Sequence, residues 1–352
     1  MLYKFFVVDI RNLLNRHSSP NHMAKHSLPF EQITRKILVK KEAKTDNKLG
    51  CKPKERTTEE IINYGIININ KCQGPTSHQV SDYVQKILHI NKSGHSGTLD
   101  PHVHGVLPVA LGRSTRVVQT LLKSGKEYVG IMHLHKDVDE KKIKETIKNN
   151  FTGKIKQIPP LKSAVKRVKR EREIYYFEIL EKDEKDEKDV LFIVGCEAGT
   201  YIRKLIHDLG QKLKVGAHML ELRRTKAGPF NEETLFTLQD LTDAYHFYKK
   251  ENNYKFLRKV IQPMENAISH LPKIWVFDTT VDTLCHGADL NIPGISKLND
   301  KISQNDVIAV MTLKDELIAL GIAALSSEDI LKKEKGLAVK TDKVFIEPGT
   351  YK

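Results

Sequence analysis

Residues 94–101 read Gly94-His95-Ser96-Gly97-Thr98-Leu99-Asp100-Pro101, and the same punctuation continues through Gly105-Val106-Leu107-Pro108-Val109. The stretch 94–113 carries no clear hydrophobic period and reads as a functional loop. It sets one acidic residue, Asp100, between glycines and prolines. A stiff loop of this kind can present a carboxylate to a ligand. The residues alone leave a second reading open, in which Asp100 only starts an Asp-Pro turn.

Regular structure is expected on both sides of that loop. Residues 65–70 alternate as a strand, and Ser77 is expected to cap a helix with Val80, Tyr83, Val84, Ile87 and Leu88 on one face. Residues 128–134 read as a strand and 139–149 as a polar surface helix. Residues 174–181 and 190–194 read as paired strands around a charged tip at 182–188. Thr200 is expected to cap a helix with Ile202, Leu205, Ile206, Leu209 and Leu213 on its apolar face. Short strands at 308–311, 317–323 and 337–346 suggest a small β-rich C-terminal domain. Residues 24–60 are rich in Lys and Glu, with an apolar cluster at Ile33, Ile37, Leu38 and Val39. Residues 1–23 read as an extension, with Met23 as an alternative start.

The chain has 352 residues, 39% of them hydrophobic, enough to build real cores. Lys and Arg number 58 against 44 Asp and Glu, a net charge of +14 that suits a polyanionic partner. Cys51, Cys72, Cys196 and Cys285 form no Cys-x-x-Cys pair, so neither a zinc site nor a redox dithiol is indicated. Scattered unpaired cysteines fit a reducing compartment. The apolar run at 3–10 contains Asp9 and is too short for a membrane anchor. A phosphate-binding loop and a dinucleotide fingerprint are both absent.

The string around Asp100 resembles the signature of the pseudouridine synthases of the bacterial TruB type and the archaeal and eukaryotic dyskerin type, whose loop aspartate is catalytic. Other family marks follow in order. Lys71-Cys72-Gln73-Gly74-Pro75-Thr76-Ser77 resembles the first motif, with Cys72 where the family usually has proline. Lys126-Glu127-Tyr128 resembles the segment whose aromatic stacks on the target base. Gly199-Thr200-Tyr201-Ile202-Arg203 resembles the segment whose arginine pairs with the aspartate. Val215-Gly216-Ala217-His218 through Leu222-Arg223-Arg224 resembles the motif whose leucine lines the base pocket. His102 and His104 are unusual for the loop, are expected to be exposed, and call for no metal.

The resemblance spans about 28–347. Its C-terminal part, through His286-Gly287-Ala288-Asp289-Leu290, Pro293-Gly294 and Gly336-Leu337-Ala338-Val339, is similar to a PUA domain, a small RNA-binding β-barrel. Residues 40–56 resemble the extension that packs on that domain in dyskerin-type proteins. With the segment from Gln157 to Arg167, this points to the archaeal and eukaryotic branch. Long basic tails are absent, so an archaeal-type, cytoplasmic protein is expected, nucleolar were it eukaryotic.

The resemblance implies an α/β fold: a mixed, mainly antiparallel sheet with flanking helices, plus the PUA barrel. It divides the chain into an unassigned extension at 1–27, an N-terminal extension at 28–60 that packs on the PUA domain, a catalytic domain at 61–265 and the PUA domain at 272–347. Asp100, Tyr128 and Arg203 are the implied catalytic residues; His95, Tyr201, Leu222 and Lys71 are the implied substrate-binding ones. The implied partners are RNA (tRNA, rRNA and H/ACA guide RNA) and the small accessory proteins of the H/ACA particle, with no membrane, metal or nucleotide cofactor.

The chemistry fits these residue types. Making pseudouridine breaks the C1′–N1 bond, turns the base and joins C5 to C1′, without redox change. A carboxylate either attacks C1′ or removes a sugar proton, and both require its ionised form. An arginine partner favours that form. Extruding the base costs roughly a few kcal/mol, and stacking on an aromatic returns about 1–3 kcal/mol. Read without the resemblance, Tyr128 is an ordinary strand aromatic, Tyr201 a core aromatic or pocket wall, His95 a loop-stabilising histidine and Arg203 a surface charge. Two alternatives are a catalytically inactive PUA-type scaffold and a stand-alone tRNA enzyme using no guide. A chain ending near Pro272 is expected to keep the Asp100 loop intact.

Overall fold

A computed structural model describes residues 26–159, 166–182 and 188–352. The 1–23 extension with Met23, the core of the 157–167 motif and most of the 182–188 tip lie outside them. The chain forms two units: a loop unit, 34–124 with 223–352, and a hairpin unit, whose described part is 26–33 with 125–159, 166–182 and 188–222. Among the described residues no helix is long and apolar enough to cross a membrane.

In the loop unit, strand Gly65–Lys71 pairs antiparallel with His104–Leu111, placing Ile67 opposite Val109, and Ser93–His95 pairs with the same strand. The 94–113 segment is therefore strand at both ends, and the loop proper is shorter than the sequence suggests. The reason is burial on both faces. Residues 105–111 are all buried, and a strand covered on both sides shows no alternation. Ile67, Ile69, Leu107 and Val109 pack on the helix Ser77–Leu88 through Val80, Val84 and Leu88. Thr76, not Ser77, caps that helix, exchanging hydrogen bonds with Gln79.

The C-terminal part of the loop unit is a seven-stranded sheet. Its order is Ile37–Val39, Ile295–Asn299, Lys273–Val276, Val307–Met311, Leu317–Ala323, Leu337–Val344 and Leu290–Asn291. The edge strand Ile37–Val39 comes from the N-terminal region, with Ile37 opposite Asn299. Alternation sends Ile274, Val276, Ile308, Val310 and Ile318 into a core with Val281, Leu284 and Ile330. Trp275, Ala309, Met311, Leu317 and Leu320 pack instead with Ile66, Val106, Val117, Leu121 and Met264. Arg56 donates two hydrogen bonds to Glu265, at 2.8 and 2.7 Å, and Glu265 also accepts from Leu317 N at 3.1 Å. A core shared across Pro272 therefore joins the strands after it to those that carry the loop, and a chain cut there would open that core.

In the hairpin unit, Lys126–Leu134, Asp189–Cys196, Arg170–Lys182 and Gly153–Gln157 form an antiparallel sheet in that order. The first half of Ala217–Ala227 lies beside Lys126–Leu134. Helix Ile202–Lys212 buries Ile202, Leu205, Ile206 and Leu209. Tyr201 is its N-cap residue, whereas the Thr200 hydroxyl turns back to Glu197 O. Helix Glu140–Asn150 is polar as expected, but Ile143 and Ile147 seat it.

Candidate active site

Asp100 is exposed, while its neighbour Leu99 is buried. Three polar side chains clamp the backbone around them. Lys71, 1% exposed, donates from Nζ to the carbonyls of Cys72, Pro101 and Val103, at 3.0, 3.2 and 2.7 Å. The Ser77 hydroxyl accepts from Leu99 N at 2.8 Å and donates to Leu99 O at 3.3 Å. Arg224, 1% exposed, donates from Nε to Val106 O at 2.7 Å and from Nη2 to Gly97 O at 3.3 Å. Gly105 has φ 105° and pairs with Arg224, and a Cβ there would strike the Arg224 backbone. Only glycine fits such a close approach at positive φ.

These contacts revise the expectation for Lys71. All three of its ammonium protons go to backbone carbonyls, two of them in the loop, so it holds the loop and has no donor left for a substrate. Burial holds its ammonium below the ordinary value, and nearby Arg224 adds to that effect.

His95 is half-buried, with Nε2 3.4 Å from His78 Nδ1 and Nδ1 accepting from Gly97 N at 3.4 Å. Burial foremost, then His78 and Arg224, lowers its pKa to about 4. The ring is neutral at pH 7, suited to stacking or hydrogen bonding rather than to gripping phosphate. His104 was expected to be exposed and is half-buried. Burial, then Arg223 and Lys71, lowers it to about 4. His102 and Cys72 are exposed.

The hairpin unit holds the other site residues. Tyr128 is half-buried and pairs with Val194. Its neighbour Glu127 points to the opposite face, where it is buried and accepts from the Tyr176 hydroxyl. Tyr201 is held through its backbone: its N–H donates to Gln157 Oε1 at 3.0 Å, and Gln157 Nε2 donates to its carbonyl at 3.2 Å. Arg203 is exposed in the first turn of Ile202–Lys212. A cation there opposes the helix dipole, at about 0.3–1 kcal/mol, so helix stability does not account for it. Leu222 is buried against Gly130. Two residues further along the same strand comes Arg224, the loop clamp.

Asp100, Lys71 and His95 thus belong to the loop unit, and Tyr128, Tyr201, Arg203 and Leu222 to the hairpin unit. Reading the sequence missed the clamping roles of Ser77, Arg224 and Gln157. Their signal was weak, because nothing local marks a serine, arginine or glutamine as buried.

Four family models match the chain: the DKCLD (NUC011) domain at 25–81, the TruB family pseudouridylate synthase N-terminal domain at 85–202, the tRNA pseudouridylate synthase B C-terminal domain at 203–269 and the PUA domain at 272–345. A probable tRNA pseudouridine synthase B of Pyrococcus horikoshii is 56% identical over 93% of this chain and 97% of its own length. That of Methanopyrus kandleri is 52% identical over 92% and 94%. Among solved structures, a Cbf5-Nop10-Gar1 complex contains a chain 54% identical, with TM-score 0.87, over 92% of this chain and 98% of that one. An H/ACA RNP bound to a substrate RNA containing 2′-deoxyuridine contains another, 52% identical, with TM-score 0.86, over 93% and 99%. With near full-length identity above 50% and matching models in order along it, the chain belongs to the TruB family of pseudouridylate synthases and is itself a pseudouridine synthase.

Proposed function

We propose that this enzyme isomerises uridine-55 of tRNA, guide-directed uridines of rRNA, or both, with Asp100 as the catalytic carboxylate. The observation that carries the reading is the clamped loop. Lys71, Ser77 and Arg224 hold the backbone on either side of one exposed carboxylate, and a reacting group needs such preorganisation. Tyr128 and Arg203 take the other catalytic roles, as the resemblance implies. His95, Tyr201 and Leu222 handle the base, while Lys71 positions the loop. Catalysis is assigned to 61–265 and RNA anchorage to 272–347.

The names of the relatives support a tRNA substrate, and the H/ACA RNP among the solved structures supports guide RNA and small accessory proteins as partners. The charge of +14 suits either RNA. Four free cysteines suit a cytoplasmic enzyme. The test is to map pseudouridine after incubation with tRNA alone, then with guide RNA and accessory proteins, for wild type and Asp100→Asn. The variant should lose at least about 10³-fold in turnover, because an amide is neither nucleophile nor base, while RNA affinity stays within about twofold. Turnover near wild type in Asp100→Asn would sink the assignment.

A further inference from the structure

The hairpin unit carries a group of imidazoles to which the proposed function gives no role. His133 lies on strand Lys126–Leu134 and His135 directly follows it, two residues on, so the two rings share a face. His218 lies on the neighbouring strand Ala217–Ala227. The ring centroids stand 5.2 Å apart for His133 and His218, 5.3 Å for His135 and His218, and 6.2 Å for His133 and His135. His135 Nε2 is 3.1 Å from His218 Nδ1. His133 Nδ1 is 2.6 Å from Asp189 Oδ1, and Asp189 is its cross-strand partner.

Two imidazole nitrogens at that separation share either a proton or a cation. Around a tetrahedral ion with metal–nitrogen bonds of about 2.0–2.1 Å, ligand nitrogens lie roughly 3.3 Å apart and ring centres roughly 5.3 Å apart. Two of the three centroid separations match, and the third is longer by about 1 Å against that standard. Among the described residues no three such donors converge on one point as placed. The His133 ring is 25% exposed, which leaves it room to turn about its Asp189 contact and complete the set.

Asp189 prepares His133 for that role. By accepting the Nδ1 proton it leaves the Nε2 lone pair available, and a carboxylate behind a ligating histidine is a common support for bound metal.

We propose that His133, His135 and His218, backed by Asp189, form a site for a divalent transition metal of the zinc class. Three histidines leave a fourth position open to water. A bound ion would tie the end of Lys126–Leu134 to the start of Ala217–Ala227.

The test uses the full chain, freed of metal with a chelator and titrated with cobalt(II) and zinc(II) at pH 7.5. Tetrahedral cobalt absorption at one equivalent is expected, without thiolate charge transfer, together with a Tm that rises with zinc. His135→Gln and His218→Gln, confirmed as folded by circular dichroism, should weaken binding at least about 100-fold, and Asp189→Asn about 10–100-fold. The zinc-dependent rise in Tm should vanish in both histidine variants. Three results overturn the proposal: no saturable binding, binding unchanged in the histidine variants, or a thiolate spectrum that assigns the ion to a cysteine such as Cys72. Absence of binding would leave His135 and His218 as a proton-sharing pair.

Discussion

The Asp100 loop and the C-terminal sheet lie in one unit and are held by opposite means. The sheet is fastened by two apolar faces, one around Ile274, Ile308 and Ile318 and one around Trp275, Met311 and Leu317. The loop is fastened by a buried ammonium, a buried guanidinium and a hydroxyl, all on backbone groups. Apolar burial scales with area, at about 25 cal/mol/Å², and is non-directional. It decides that strands pack, and it tolerates exchange among residues of similar size. Hydrogen bonds from charged donors are directional, and losing one leaves a buried carbonyl unsatisfied. The difference teaches where the molecule needs position and where it needs only cohesion.

The largest effect should come from ending the chain at Pro272. That cut removes Trp275, Met311, Leu317 and Leu320 from the cluster containing Ile66, Val106 and Met264, and takes Leu317 N from Glu265. The remaining chain should aggregate or lose its cooperative thermal transition. A soluble truncated chain with a wild-type Tm would break the comparison, because it would give the loop a core of its own.

Arg203→Met should come next, with activity down about 10²–10³-fold, the range for removing one preorganised electrostatic group. Arg203→Lys should recover only part, since an ammonium lacks the planar fork. Arg203 is exposed, so Tm should hardly move in either variant. Full activity in both would make Arg203 a surface charge. Lys71→Met sharpens the contrast from the loop side. It strands three carbonyls, so about 1–3 kcal/mol of stability should be lost. A displaced carboxylate should cost roughly 10–10²-fold in turnover, with Asp100 still present. Loss of turnover through weaker RNA binding alone would instead return Lys71 to the substrate-binding residues.

How much of this was legible follows the same division. Apolar periodicity revealed the helix at 202–212, because one buried stripe leaves a visible period, whereas the C-terminal strands showed only as short apolar runs. Periodicity failed at 105–111, where both faces are covered. The motifs placed Asp100 and Lys71 together in the reading, but not the direction in which Lys71 points. Two helix starts were off by one residue, at Ser77 and Thr200, because both belong to polar runs in which the true cap, Thr76 or Tyr201, sits next door. The meeting of His133, His135 and His218 depends on strand order, which no local pattern encodes.

The smallest effect is one of pH, and it separates the loop from the sheet. His95 and His104 flank Asp100 and titrate at about 4 in the folded chain, against about 6.5 for histidine in an unfolded one. As pH falls below 6.5 the unfolded chain takes up these two protons first, so unfolding is favoured. Their contribution is complete above about 6.5 and is lost progressively as pH falls toward 4. His95→Gln and His104→Gln should each flatten the fall of Tm over that window, measured by calorimetry at closely spaced pH. The difference between wild type and variant is the quantity to read, since it cancels whatever the rest of the chain contributes. Equal slopes in all three proteins would mean that neither ring is kept neutral, and that the loop around Asp100 is more open to water than its clamps imply.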